Sequence, residues 1–450
     1  MSETDILVIG AGPAGLGAAI AAARQGARTL VLDALPRPGG AYWMQPPGGT
    51  GGGAQAEQGA ARIAEAHALG VGFVQGAELV SCRSPAEVTA LQDRRLLTLQ
   101  ARALVVATGA MDRAVAFPGW DLPGVLSAAA AQRLLKLSAT LPGRRLVVAG
   151  TGPFLLLVAA QLARAGAELI AVLDAASRPG RLWRLLAFPE RLGEAWAIAR
   201  PLLRAGSLRH GWMVARALGR ERVQSVEIVR GDRRERLDGI DALIVGWGLQ
   251  PRTEVTRLLG CAHRHDPALG GWTCVADPRT GATSVEGVFA AGEVRGVRGA
   301  EVAWLEGLEV GSAAAAAIGK GAIRTAAGRG RARAFAATLA RLWPLPAAAT
   351  RLADATTLLC RCEAIAAAEV DAAIADGART VAAAKRWTRC GMGPCQGRVC
   401  APLIADRLHL LAGVTPTVAG LNAPRLPLVP VPLAAFAAER DRADAEPPAC

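Results

Sequence analysis

Apolar and polar positions alternate between two regimes along the chain. After Asp5, the residues Ile-Leu-Val-Ile form an unbroken apolar run, the pattern of a parallel strand buried on both faces. Gly10-Ala11-Gly12-Pro13-Ala14-Gly15 follows, then an Ala-rich stretch that predicts a helix to about Gln25. A second strand is predicted from Thr29 to Leu32, ending on Asp33. The same succession returns at Arg145. There, Arg145–Gly150 predicts a strand, Gly150-Thr-Gly152-Pro-Phe-Leu155 a turn, Phe154–Val158 the opening of a helix, and Glu168–Leu173 a strand ending on Asp174. Two shorter apolar runs end in small residues: Ala103–Ala107 before Thr108-Gly109, and Gly287–Ala291 before Gly292-Glu293. Near the C-terminus, Ala366–Ala375 predicts a helix, with a second one running to about Trp387. Leu146–Ala163 is long and apolar enough to suggest a membrane span, but Gly150-Thr151-Gly152-Pro153 interrupts it. A strand, a turn and a buried helix explain it better, so no span is expected.

The first glycine turn carries chemistry because of where it lies. Between a strand and a helix, Gly10 permits the tight turn and Gly12 lets a pyrophosphate approach the backbone. Gly15 lets the helix pack on the strand. The helix N-terminus then faces the phosphates, and Asp33 is placed to accept ribose hydroxyls. A bound dinucleotide is therefore expected here. In the second copy, Leu155 replaces the third glycine. Asp174 would favour NAD over NADP if a nucleotide binds, and a fold retained only for architecture stays open.

Length and composition narrow the picture further. A chain of 450 residues exceeds one ordinary core. With 52% hydrophobic residues and a mean hydropathy of +0.27, it is not a disordered chain. The net charge of +13 suggests nucleic acid until the basic residues are sorted: only Lys136, Lys320 and Lys385 are lysines, and the rest of the 51 are arginines in an Ala- and Gly-rich background. No run of five like charges occurs, and no basic stretch is interleaved with aromatics, so nucleic-acid binding is not expected. The acidic start Met1-Ser2-Glu3-Thr4-Asp5 lacks the signal-peptide pattern, and a cytoplasmic location is expected. His263-Arg-His265 reads as a solvated loop rather than a metal site.

Cysteine placement is uneven. Cys82, Cys261 and Cys274 stand alone, Cys450 is terminal, and five cysteines fall between Cys360 and Cys400. A disulfide framework would not leave most of the chain bare, so the cluster points to a metal. No CxxC or CxxxxC precedes residue 360, which excludes dithiol exchange beside the first nucleotide fold. Cys360-Arg-Cys362-Glu363 and Thr388-Arg-Cys390-Gly-Met-Gly-Pro-Cys395-Gln-Gly-Arg-Val-Cys400 offer thiolates on loops, with Gly391, Gly393 and Gly397 able to wrap closely. A 2Fe–2S cluster takes four such thiolates, and so does tetrahedral zinc; spacing alone leaves both open.

Together these segments resemble a known family. The first glycine turn, the Ala-Thr108-Gly109 strand end and the Gly292-Glu293 strand end are similar to the FAD-enclosing motifs of the flavoprotein disulfide-reductase superfamily. The resemblance implies FAD contacts at Gly10, Gly12, Pro13, Ala14, Gly15, Asp33, Gly39, Gly40, Thr108, Gly109, Gly292 and Glu293. Glu293 stands where that family has Asp. Arg295 and Arg298 would steady an anionic flavin or cofactor phosphate, or else form surface salt bridges. The cysteine segment is similar to the bacterioferritin-associated-ferredoxin-like 2Fe–2S domain, which implies the ligands Cys360, Cys362, Cys395 and Cys400. Cys390 is then a spare thiol; an alternative has it displace Cys400. With Phe117-Pro-Gly-Trp120-Asp-Leu-Pro-Gly-Val125, Gly246-Trp-Gly-Leu-Gln-Pro251 and Ala291–Ala300, nearly the whole chain resembles the FAD-containing alpha subunits of multi-subunit amino-acid dehydrogenases, of hydrogen cyanide synthase, opine oxidase and D-hydroxyproline dehydrogenase type.

The expected fold is α/β: two Rossmann-like dinucleotide-binding domains, one inserted in the other, plus a small helical 2Fe–2S domain. The expected boundaries are 1–140 and 241–325 for the FAD domain, 141–240 for the insertion, 326–354 for a linker, 355–412 for the cluster domain and 413–450 for a Pro/Ala-rich tail. The resemblance implies an electron-transfer subunit serving oxidation of an amino- or imino-acid C–N bond. Its implied partners are a flavoprotein beta subunit, together with a small iron–sulfur gamma subunit. FMN at a subunit interface and NAD or another adenine nucleotide in the second domain are further cofactors it allows. The competing functions are a self-sufficient NAD(P)H-dependent reductase, a glycerol-3-phosphate-dehydrogenase-like enzyme and a non-catalytic iron–sulfur docking protein.

Overall fold

A computed structural model describes residues 4–46, 53–175 and 179–437. Met1, Ser2, Glu3 and Cys450, and the end of the expected tail, lie outside the described residues. The chain divides into two units. The first takes the chain up to Ala110, Pro251–Arg333 and the described residues from Ala423 onward; the second takes Met111–Gln250 and Ala334–Asn422.

In the first unit, five parallel strands stand in the order Val288–Ala290, Ala101–Val106, Thr4–Ile9, Thr29–Asp33 and Gly72–Gln75. Ile9 lies opposite both Leu32 and Val106, and Ala290 opposite Val106. The strands thus finish at one level, and the turns that follow them share one crest. The fingerprint helix, Pro13–Ala23, packs on the Ala300–Ala317 helix through small residues. A Cβ on Gly311 would come within 2.0 Å of the Ala18 carbonyl oxygen, and one on Gly17 within 2.8 Å of that of Trp304. The two backbones meet because neither carries a side chain at these points. An antiparallel meander, Glu78–Ser84, Glu87–Gln92 and Arg95–Leu99, completes the unit, and Leu428 donates its N–H to Val80 at 2.9 Å.

The second unit repeats the parallel sheet in the order Leu208–His210, Glu168–Asp174, Arg145–Gly150, Ala242–Gly246 and Val125–Ser127. Leu146–Gly150 pairs residue for residue with Ala242–Gly246, so strands on both sides of the expected 141–240 insertion belong to it. Val125–Ser127 is only three residues long, too short for periodicity to announce. The apolar Leu146–Ala163 stretch is indeed a strand, a turn and a helix, and no helix among the described residues is long and apolar enough to cross a membrane.

The C-terminal helices Ala367–Ala375, Val381–Thr388 and Cys400–Ala412 share a core with this sheet: Phe117, Val147, Leu173 and Trp247 join Leu359, Val370, Ile404 and Leu408. The Trp120 indole N–H donates to the Leu358 carbonyl at 2.7 Å, and the Arg361 guanidinium lies 4.5 Å over the same ring. Residues 326–354 hold a helix, Arg329–Leu342, and a 3-10 turn, Ala347–Arg351. One expectation needs correction: His263-Arg-His265 is not a solvated loop. His263–Asp266 is a strand paired with Gly271–Cys274, and His263 Nε2 lies 2.8 Å from Thr256 Oγ1. Burial lowers the His263 imidazole to about pH 4, as expected for a ring facing inward from a strand.

Candidate functional site

The crest of the first sheet gathers the residues expected to hold a dinucleotide. Gly10 has φ +104°, and a Cβ there would come within 2.4 Å of the Ala107 carbonyl oxygen. The Pro38-Gly39-Gly40 loop folds onto this turn: Gly39 donates its N–H to Ala11 O at 2.8 Å, and a Cβ on Gly40 would come within 2.7 Å of Gly12 Cα. Trp43, which the sequence pattern did not single out, anchors the loop. Its N–H donates to Gly39 O, and its ring meets Trp304 edge-on at 5.3 Å.

The other expected contacts arrive on the same crest. Asp33 accepts N–H groups from Ala11 and, at 2.7 Å, from Leu35, and is 8% exposed. Its carboxylate therefore braces the turn besides facing the crest. Thr108 Oγ1 donates to the Arg252 carbonyl at 2.7 Å, and Gly109 O accepts from Arg252 N–H at 3.0 Å. Gly292, at φ +71°, is squeezed so closely that a Cβ would meet that of Ala14 at 2.5 Å. Desolvation pushes the Glu293 carboxyl up to about 7, against the opposing pull of the Gly299 N–H at the start of the Ala300–Ala317 helix.

Arg295 and Arg298 are committed to a buried ion-pair network rather than to the surface. Glu306 lies 3.6 Å from Arg295, 3.9 Å from Arg298, and also pairs with Arg333. Arg295 is 7% exposed and donates to Asp277 O at 2.9 Å. Burial lowers the Arg295 and Arg298 guanidinium pKa values, and Glu306 works against it.

The five clustered cysteines converge in the second unit. The Sγ atoms of Cys360, Cys390 and Cys400 lie within 4.8 Å of one another, all three buried. Cys362 is exposed and interacts with the half-buried Cys395, and Cys395 in turn raises the pKa of Cys400. Contact with the Cys390 thiol, then burial, pushes the Cys400 thiol up. The glycines allow the loops to wrap: a Cβ on Gly393 would come within 2.4 Å of Cys362 Cβ, and one on Gly391 within 3.5 Å of Cys400 Sγ. Cys390 turns inward because Arg389, at φ +64°, ends the preceding helix in a left-handed cap. A soft thiolate set on closely wrapped loops suits an iron–sulfur cluster or zinc. Among the eight described cysteines, none is in a disulfide.

The geometry can be compared with known proteins. A family model described as pyridine nucleotide-disulphide oxidoreductase matches residues 4–307, from the first strand through the Gly292 turn and into the helix behind it. The chain belongs to this family. It is an FAD-dependent oxidoreductase. The chain is 32% identical to an opine oxidase subunit from Agrobacterium tumefaciens (strain Ach5), over 96% of its own length and 91% of that protein. It is 31% identical to hydrogen cyanide synthase subunit HcnB of Pseudomonas aeruginosa, over 96% and 97% respectively. The L-proline dehydrogenase of P. horikoshii shares its fold with a TM-score of 0.71 at 20% identity, covering 96% of this chain and 79% of that one. Residues 357–440 match a model described as the sarcosine oxidase A3 domain. That match begins three residues before Cys360 and contains all five clustered cysteines.

Proposed function

We propose that this oxidoreductase is the electron-transfer subunit of a multi-subunit enzyme that oxidises the C–N bond of an amino or imino acid, carrying FAD on the first crest and a 2Fe–2S cluster among the C-terminal thiols. The convergence of five cysteines in a chain whose other half is a flavoprotein fold carries this reading. FAD fits the first crest because the turn is glycine-lined where a Cβ would block approach, and because its helix N-terminus is available to a pyrophosphate. Gly12 and Gly40 line the approach, Asp33 and Thr108 stand at the adenosine side, and Gly292 and Glu293 stand toward the ribityl chain. Cys360, Cys362, Cys395 and Cys400 hold the cluster, with the Cys390 thiol a spare beside those of Cys360 and Cys400. When bound, the flavin supplies an exchange between two-electron and one-electron chemistry, and the cluster accepts single electrons. The chain's own work is to hold both groups, exclude water from them and set their electrostatic surroundings.

Partners are a beta flavoprotein and a small iron–sulfur gamma subunit, with FMN held where subunits meet. The relatives named as subunits support this, and so does a surface feature. Leu192, Trp196 and Leu203 lie on one exposed face of the Leu192–Ala205 helix at 3.6 residues per turn, with Trp183 and Leu186 exposed just before it. Free thiols throughout the described residues suit a reducing cytoplasm.

The test is expression of the full chain with its partner subunits, purification through a tag on this chain, and an absorption spectrum with metal analysis. Partner chains, flavin and about two irons per chain are expected. An active lone chain, or one holding zinc in place of iron, would overturn the reading.

A further inference from the structure

The two glycine turns of this chain share a sequence pattern but not an environment. In the first fold Gly12 is half-buried, so its N–H can be reached, whereas the Gly10 N–H donates to Leu32 O at 2.8 Å and Pro13 has none. In the second, Gly150, Thr151 and Gly152 are all buried, and Thr151 is 3% exposed. A phosphate-binding turn works by presenting backbone N–H groups to its ligand, and burial of Gly150, Thr151 and Gly152 restricts access to theirs, with open space left only beside the Gly152 α-carbon.

The acidic residue is covered as well. Asp174 ends its strand level with Gly150, with His210 opposite on the other side, so it occupies the place from which a dinucleotide fold grips the adenosine ribose. It is fully buried, and its Oδ2 accepts the indole N–H of Trp343 at 2.9 Å. Trp343 follows the Arg329–Leu342 helix, and its own N–H donates to Leu339 O at 3.0 Å. Just beyond it, Leu345 and the fully buried Ala349 pack into the core that contains Leu173 and Trp247. The segment is thus seated on the carboxyl edge of the sheet, the edge at which folds of this class bind ligands. Leu155, buried in place of the third glycine, lines the same corner: a Cβ on Gly246 would come within 3.0 Å of Leu155 Cδ1.

We infer that Trp343 takes the place of a nucleotide ribose on Asp174 and makes the second fold unable to accept a dinucleotide, so that NAD(P)H is not an electron donor to this chain. The indole N–H occupies Oδ2 of the carboxylate that a ribose would need. A ligand would have to displace a ring tied down by its neighbours on both sides of the sequence. The selectivity follows from one side chain and from the burial of the turn, without any change in the sheet itself. This goes beyond the proposed function, since a chain with any partner subunits and either metal could carry the same plug.

The test uses the full flavin-loaded chain and NADH as probe, with binding followed by calorimetry and flavin reduction by bleaching. The wild-type chain is expected to show no saturable NADH binding and no bleaching. Trp343→Ala is expected to bind NADH saturably, with a Kd at least tenfold below the highest concentration at which wild type shows no binding, Trp343→Phe to bind less well than Trp343→Ala because the ring remains, and Trp343→Ala/Asp174→Asn to lose the gain. Circular dichroism and retained flavin confirm that each variant is folded. Wild-type binding that Asp174→Asn abolishes would overturn the inference, as would a folded Trp343→Ala chain with no gain. Either failure leaves the partner, flavin and iron content of the proposed function untouched, so the two can be told apart.

Discussion

Replacing Gly307 by Ala adds one methyl group where the Ala300–Ala317 helix meets the fingerprint helix, and the consequence can be worked through. The new Cβ would stand 2.2 Å from the Ala14 carbonyl oxygen and 2.9 Å from its carbon, where ordinary contact begins at 3.4 Å. Both atoms are helix backbone, so no side chain can swing aside, and one helix must retreat by about an ångström. Overpacking costs about 1–3 kcal/mol, and against rigid backbone the upper part of that range, about 2–3 kcal/mol, applies. Alanine recovers about 1 kcal/mol through its better helix propensity. The net loss is about 1–2 kcal/mol, which lowers the melting temperature of a domain this size by roughly 2–8 °C. Stability is only half of the effect. Ala14 sits two residues past Gly12 and against Gly292, so the retreat opens the crest from both sides. Flavin affinity should fall roughly tenfold, equal to about 1.4 kcal/mol. Thermal melting and flavin content after gel filtration measure the two effects. Gly330→Ala is the control: it is an exposed helical glycine with open space around it, so it should be neutral or stabilising by up to about 1 kcal/mol. A Gly307→Ala chain that melts at or above wild type with its full flavin complement would refute the backbone contact.

Three further outcomes are expected. The folded Glu293 carboxyl, at about 7 against an ordinary 4.5, keeps its proton to higher pH than the unfolded chain, so its contribution is most favourable at low pH and is lost as pH rises from 4.5 to 7. The change is about 3 kcal/mol. Denaturant midpoints at about pH 5 and about pH 8 should converge in Glu293→Gln, and an unchanged difference would discount the residue. Cys360→Ser should abolish the iron and its visible bands whereas Cys390→Ser should keep about two irons per chain; the reverse pattern in metal analysis would move the ligand set onto Cys390. Arg407 ties the Cys400–Ala412 helix to Asp371 on the Ala367–Ala375 helix and donates to Ala353 O at 3.3 Å. Removing it as Arg407→Ala strands a partly buried carboxylate and should cost about 2–4 kcal/mol in equilibrium unfolding, and a loss below about 0.5 kcal/mol would mark the pair as a surface contact.

Much of the crest was legible beforehand, and for a local reason. Gly10, Gly40 and Gly292 are positions with positive φ or close backbone approach, where only glycine fits, so the requirement is written at the residue itself. The strand runs are equally local: Thr4–Ile9, Arg145–Gly150 and Glu168–Asp174 fall where continuous apolar stretches placed them. Arg295 and Arg298 were visible as charges beside a turn, but nothing nearby in sequence announces that Glu306 and Arg333 close around them. Cys390 was legible as a thiol and not as a neighbour of Cys360 and Cys400, because a single left-handed residue, Arg389, decides which way it faces.

The amino-acid sequence by itself determined two dinucleotide folds, one within the other, and a cysteine-rich end, since turn chemistry and strand burial depend on residues a few places apart. Tertiary structure decided which of those folds remains open. Asp33 and Asp174 occupy equivalent places in their folds, yet one accepts only from its own turn and the residues just after it, at Ala11 and Leu35, among the contacts described, and the other holds Trp343 from 169 residues away. Burial is non-directional and ignores sequence distance, so a motif states what a turn is able to bind, and only the packing above it states whether anything can enter.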